Sequence, residues 1–167
     1  MDKLINIKYN EIFMLRAFEL SQIAYKSGKG LPIGCVIVKD NVIIGEGHNE
    51  IFSRTNPTSH AEMVAIENAC KNSGSLTLND CAIYTTLEPC PMCLSAIYWA
   101  KLNVIYFASS NEMASKIGFD DSFIFDEIKL HPNKRKIPMF KKDHKKAIEI
   151  LKELQSKEIC SSQPWKK

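Results

Sequence analysis

Apolar positions recur along the chain in two periods, and each change of period marks an element. From Leu4 to Lys26, Ile12, Leu15, Phe18 and Ile23 stand at helical intervals with charges between them, which predicts an amphipathic helix. "SGKGLPIG", Ser27 to Gly34, ends it with glycines and a proline and reads as a turn. "CVIVKDNVIIGEGHN" then gives two short β-rich runs joined at Asp40-Asn41, a hairpin. A polar loop from Glu50 to Ser59 leads into a helix continued by Met63, Ala65, Ile66 and Ala69 as far as Ser73-Gly74. "CAIYTT" from Cys81 is a strand, "CPMCLSAIYWAK" from Cys90 starts another helix, and "NVIYFAS" from Asn103 is the next strand.

Strands that alternate with helices predict a sheet with parallel pairs and helices on its faces. Leu94, Ala96, Ile97, Tyr98, Trp99 and Ala100 make the third helix apolar on every side, so it is expected to be buried in the core or in a subunit interface. Asn111 to Phe140 reads as one short helix and a long proline-containing loop. Asp143 to Lys157 is a final helix with Ala147, Ile150, Leu151 and Leu154 on one stripe. Neither an internal repeat nor a linker marks a boundary. One domain over residues 1–167 is expected, with 141–167 a C-terminal helix and tail able to cover an active site.

Composition narrows the class. A chain of 167 residues, 45% of them hydrophobic, suits one globular domain with a sizeable core. No apolar run has the length of a secretory leader or a bilayer span, so a soluble cytoplasmic protein with no membrane partner is expected. The net charge of +3 divides unevenly: residues 1–128 hold 10 Lys and Arg against 15 Asp and Glu, while residues 129–167 hold 12 against 4. The basic end raises nucleic acid as a partner, with a solvated helix and loop as the favoured reading. Six cysteines in an intracellular chain are more often thiols or metal ligands than a disulfide framework. Cys35, Cys70 and Cys81 lie in apolar surroundings and read as small buried hydrophobes. Cys160, in a polar tail, has no assignment.

Two stretches carry candidate chemistry. In "TNPTSHAEMVAIENAC", Ser59 and Glu62 form an S-x-x-E capping box, yet His60 and Glu62 also look like a metal ligand followed by a proton carrier. Two residues apart within a helix, those side chains would diverge. In "TTLEPCPMCLSAIYWA", Cys90 and Cys93 pass from a strand into a helix, where the helix N-terminus stabilises thiolates. A C-x-x-C at such a junction fits a thioredoxin-like redox pair. It also fits half of a structural zinc site, although His131 and His144 are too far apart to complete one. The third reading is a catalytic zinc with three protein ligands and one open position. Only that reading uses His60 and Glu62: two helix ends facing each other enclose one metal, and Glu62 lies beside the open position without binding it.

The combination H-x-E…P-C-x-x-C, with Pro89 before Cys90, resembles the signature of the zinc nucleobase deaminases. "NPTSHAEMVAI", "YTTLEPCPMCLSAIYWA", "GFDDSFIF" and "RKIPM" together are similar to the cytidine-deaminase superfamily and, within it, to the bacterial-type guanine deaminases. The first two segments are shared with tRNA adenosine deaminases, so "GFDDSFIF" carries the guanine assignment. The resemblance implies a three-layer αβα fold with a central five-stranded mixed sheet. It also implies one zinc per chain on His60, Cys90 and Cys93 with a catalytic water as fourth ligand, Glu62 as acid and base, and Asp121 at the amino edge of the base. Asn49, Ile33, Ala61 and Trp165 would contact the substrate. The implied activity is guanine deamination by a homodimer that can exchange its C-termini. Ile33 stands where many members carry an aromatic residue, and Trp165 lies two residues short of the end, where the family tail tends to finish on an aromatic lid. A tRNA adenosine deaminase, a guanosine deaminase, and a regulatory zinc protein on an inactive deaminase fold are the competing readings.

Overall fold

The computed structural model describes residues 7–156, in two compact units, 1–121 and 122–167 by chain position. The first unit is built on a four-stranded sheet. Its strands are β1 (Gly34–Lys39), β2 (Val42–His48), β3 (Cys81–Leu87) and β4 (Val104–Ser109), in the order β2-β1-β3-β4. β1 runs antiparallel to both β2 and β3, and β3 runs parallel to β4, so the sheet is mixed as expected. The hairpin turns at Asp40 and Asn41, both at positive φ (49° and 61°), the backbone that a two-residue hairpin turn requires.

Strand alternation sorts the core into two layers. Val36, Val38, Ala82 and Tyr84 face α1 (Glu11–Lys26) and pack with Phe13 and Leu20. Cys35, Ile37, Cys81 and Ile83 face the other way, against Ala61, Ala65 and Ala69 of α2 (Ala61–Ser73) and Ile97 of α3 (Pro91–Trp99). Helix, sheet and helix thus make three layers. α2 approaches β2 so closely that a Cβ on Gly47 would lie 2.3 Å from the Ala61 carbonyl oxygen.

Several expectations are corrected. The sheet has four strands among the described residues, not five. Residues 130–144 supply no further strand: Pro132 and Pro138 lack the N–H that a ladder needs, and Pro132–Lys134 winds into a 3₁₀ turn. α1 starts at Glu11, where the Asn10 side chain caps the Ile12 N–H. Its buried face is Phe13, Ala17, Leu20, Ser21 and Ala24, whereas Ile12, Leu15, Phe18 and Ile23 are exposed. Both stripes have helical spacing, and the one with alanines fits close against a sheet. Within the single chain the core covers only part of α3, leaving Tyr98 and Trp99 77% and 64% exposed, so of the two expected burials the core alone does not account for this helix. Cys35 and Cys81 are buried as expected, and Cys70 is half-buried.

After α4 (Asn111–Ser115) the first unit closes at Asp121. The second unit holds α5 (Ser122–Lys129), the 3₁₀ turn and α6 (Lys145–Ser156). Arg135 donates to the Leu130 and Ile128 carbonyls at the end of α5, and Lys136 Nζ lies 5.3 Å from the Phe123 ring centre. Phe123 and Ile128 of α5 and Ile150 and Leu151 of α6 are exposed. No helix of the described residues is long and apolar enough to cross a membrane.

Candidate metal centre and active site

His60 and Glu62 do not diverge, because His60 is not yet in the helix. α2 begins at Ala61, and His60 holds the N-cap position with extended backbone (φ −70°, ψ 157°). The expected capping box is therefore absent: Ser59 lies one residue outside the cap, and the Glu62 carboxylate turns to partners in the sheet and α3. Cys90 occupies the matching N-cap of α3, also extended (φ −64°, ψ 168°), with Pro91 as the first helical residue. The Cys93 N–H donates to Cys90 Sγ at 3.5 Å, so the sulfur caps its own helix.

These two caps meet. Cys93 Sγ lies 3.5 Å and Cys90 Sγ 3.7 Å from His60 Nδ1, and all three ligand atoms fall within 4.8 Å of one another. Tetrahedral zinc, with bonds of about 2.3 Å to sulfur and 2.0 Å to nitrogen, sets adjacent S and N ligands about 3.5 Å apart. The three residues fit one zinc ion and leave its fourth position open. Electrostatics agree. A hydrogen bond from Cys93, reinforced by His60, pulls the Cys90 thiol down to about 4. The Cys93 thiol is pushed up by that same bond and by burial. Zinc binds cysteines as thiolates, so it displaces any proton these sulfurs carry. His60 is raised chiefly by its hydrogen bond to Cys90.

Glu62 is buried and lies beside the ligands without joining them. Burial is the main force raising its pKa. Its Oε2 accepts from Cys93 Sγ at 3.5 Å, and its Oε1 accepts from the hydroxyl of Thr85 at 3.3 Å. A carboxylate in this place can take and return a proton. Asp121 is half-buried, and burial, together with the charges of Cys90, Asp120 and Glu88, raises its pKa. It thus sits within electrostatic reach of the ligands.

Asn49 ends the β2 hairpin and is fully buried. Its N–H donates to the Ile33 carbonyl at 2.9 Å, while the Glu50 N–H donates to the Ser59 carbonyl at 2.9 Å, which brings this strand end alongside His60. The amide orientation is fixed: Oδ1 accepts from the Leu31 and Ile51 N–H groups at 3.1 and 3.4 Å. Nδ2 is left buried with no acceptor. Such a donor is costly unless something outside the chain uses it. Gly30 makes the arrangement possible, since a Cβ there would lie 2.2 Å from Asn49 Oδ1.

The structure therefore gathers His60, Cys90, Cys93 and Glu62 tightly. Ala61 sits between His60 and Glu62 as the first residue of α2, and Ile33 is joined to Asn49 through its backbone. Trp165 and Cys160 lie outside the described residues. Sequence reading missed Thr85 and Gly30. A threonine interrupting an apolar strand, and a glycine in the turn 19 residues before Asn49, were the available signals.

The family model for the cytidine and deoxycytidylate deaminase zinc-binding region matches residues 7–109. The chain is 47% identical over 131 residues to the guanine deaminase of Bacillus subtilis (strain 168), covering 78% of this chain and 84% of that protein. It is 36% identical over 128 residues to a tRNA-specific adenosine deaminase of Haemophilus influenzae, covering 76% of this chain and 73% of that one. The X-ray structure of guanine deaminase from Bacillus subtilis superposes with a TM-score of 0.84 at 39% identity, over 96% of this chain and 99% of that chain.

Proposed function

The chain belongs to the cytidine and deoxycytidylate deaminase family, and from that premise we propose that it hydrolyses guanine to xanthine and ammonia. The observation that carries the reading is the fully buried, unpartnered Nδ2 of Asn49 at a strand end beside His60. A donor with no partner in the chain calls for an acceptor on the substrate, and guanine offers O6, N3 and N7. The similarity to a guanine deaminase over most of both chains supports that choice of base.

His60, Cys90 and Cys93 would hold a single zinc ion, which supplies Lewis-acid polarisation and lowers the pKa of a water at its open position. Glu62 takes a proton from the attacking water as oxygen bonds to C2 of the base. It passes that proton to the adjacent ring nitrogen, takes the second proton from the new hydroxyl on C2, and delivers it to the amino group as the C2–N bond breaks and the hydroxyl becomes the carbonyl of xanthine. One water is consumed and one ammonia leaves. Asn49 holds the base by donating to one of its acceptors. Asp121 accepts from the N–H edge beside C2 and helps pass a proton to the departing ammonia. Ile33 lies against the base, and the free N–H groups at the start of α2, that of Ala61 among them, face it.

The enzyme works as a cytoplasmic homodimer in purine metabolism. The exposed Ile150 and Leu151 of α6 support exchange of C-terminal segments between subunits, with Trp165 closing a site. The test is ammonia release from zinc-loaded protein offered guanine, guanosine, adenine, cytidine and a tRNA anticodon stem-loop in parallel. Turnover of guanine alone is expected. Turnover of the stem-loop with guanine inert would replace this reading by tRNA adenosine deamination, and turnover of guanosine alone would move it to the nucleoside.

A further inference from the structure

β3 is apolar and buried along Cys81, Ala82, Ile83 and Tyr84, and then it buries a threonine completely. Alternation places Thr85 on the same face as Cys81 and Ile83, toward α2, with Cys35 opposite it on β1. A valine would fill that space with the same shape and a comparable β propensity, without a polar atom to satisfy. The hydroxyl must instead find an acceptor where no water reaches, and its partner is Glu62 Oε1 at 3.3 Å. The other oxygen, Oε2, lies on the side of the metal ligands, 3.5 Å from Cys93 Sγ.

We propose that Thr85 is a positioning residue that divides the work of the Glu62 carboxylate: it anchors Oε1 and leaves Oε2 as the oxygen that carries the reacting proton. The division follows from valence and geometry. Oε1 spends a lone pair on the Thr85 hydroxyl and is directed into the sheet, away from any base. Oε2 is directed at the ligand cluster, where the water and the amino group react. Without the anchor the carboxylate turns about its terminal bond, and the proton-carrying oxygen is aimed correctly only part of the time. Misaim of this kind acts on the chemical step and spares binding of the base, which rests on Asn49. The identity of the reaction rests on the guanine deaminase reading, but the carboxylate anchor stands on geometry alone.

The test is Thr85→Val and Thr85→Ser in the zinc-loaded protein, with zinc content and Tm measured alongside. Valine is expected to lower kcat for guanine by about 10- to 100-fold, the effect of removing one hydrogen bond to a charged group, with KM within about threefold of wild type. Serine, which keeps the hydroxyl, should restore most of kcat. Infrared difference spectra provide a readout independent of turnover: Thr85→Val should shift a carboxyl or carboxylate stretch, and the shift should vanish in a Glu62→Gln background. A valine variant with kcat within about twofold of wild type, a loss confined to KM, or a serine variant as slow as valine would each overturn the proposal. Wild-type protein inert toward guanine would sink the substrate reading instead, leaving the infrared shift to decide the role of Thr85.

Discussion

Replacing Asn49 by aspartate tests the recognition of the base with almost no change of shape. In Asn49→Asp one oxygen keeps the place of Oδ1, where the Leu31 and Ile51 N–H groups donate to it. The other oxygen takes the place of Nδ2, the buried donor without an acceptor. A hydrogen bond to the base becomes a lone pair facing a lone pair, with an added buried charge that the base cannot compensate. Breaking a buried charged or hydrogen-bonded pair in this way costs about 3–5 kcal/mol. At about 1.4 kcal/mol per tenfold, kcat/KM for guanine should fall by about 10²- to 4 × 10³-fold. Asn49→Ala loses less in recognition, because it removes the donor without adding a charge. It costs about 1–3 kcal/mol of stability, because two half-buried N–H groups are stripped of their acceptor. The aspartate variant should therefore be the slower of the two, and both should lose stability, alanine through the stripped N–H groups and aspartate through its unpaired buried charge. Steady-state xanthine formation followed by ultraviolet absorbance, with zinc content matched and Tm measured, reads both axes. An aspartate variant within about threefold of wild-type kcat/KM would show that the carboxamide does not face the base.

Other perturbations reach the remaining parts of the site. Glu62→Gln should keep the metal, since Glu62 is not among the ligands, and lose about 10³-fold in kcat; near-normal turnover would remove Glu62 from the chemistry. Gly30→Ala places a Cβ 2.2 Å from Asn49 Oδ1 and 2.3 Å from the Asn49 carbonyl oxygen, so it should lower Tm and raise KM for guanine together. An unchanged KM would mean that the loop moves aside without disturbing the carboxamide. Stripping the protein with a chelator should abolish turnover and lower Tm, with both restored by added zinc. Turnover persisting in metal-free protein would refute the assignment of His60, Cys90 and Cys93.

Much of this site was legible in the sequence because metal chemistry restricts residue types severely. A histidine, a carboxylate and two cysteines at N-terminal helix boundaries have few other uses in combination, and the structure brings them together. The local geometry was less legible. Reading Ser59 as a helix cap came from a pattern that His60 itself displaces, since a ligand at the N-cap can aim off the helix end in a way that a residue within the helix cannot. In α1 two stripes have equally good periodicity, and hydrophobicity alone favoured the bulkier one. Close packing on a sheet selects alanines instead, which no single-helix pattern encodes. Thr85 and Gly30 escaped notice for a related reason: each acts through a neighbour distant in sequence, Glu62 and Asn49, and its role exists only once the chain has folded.

The most direct measurement of the central claim is guanine turnover by the zinc-loaded protein in ¹⁸O-labelled water, with products followed by mass spectrometry. Hydrolytic deamination at C2 predicts xanthine carrying one labelled oxygen, formed in equal amount with ammonia. Guanine left unchanged, or ammonia released without labelled xanthine, would contradict it.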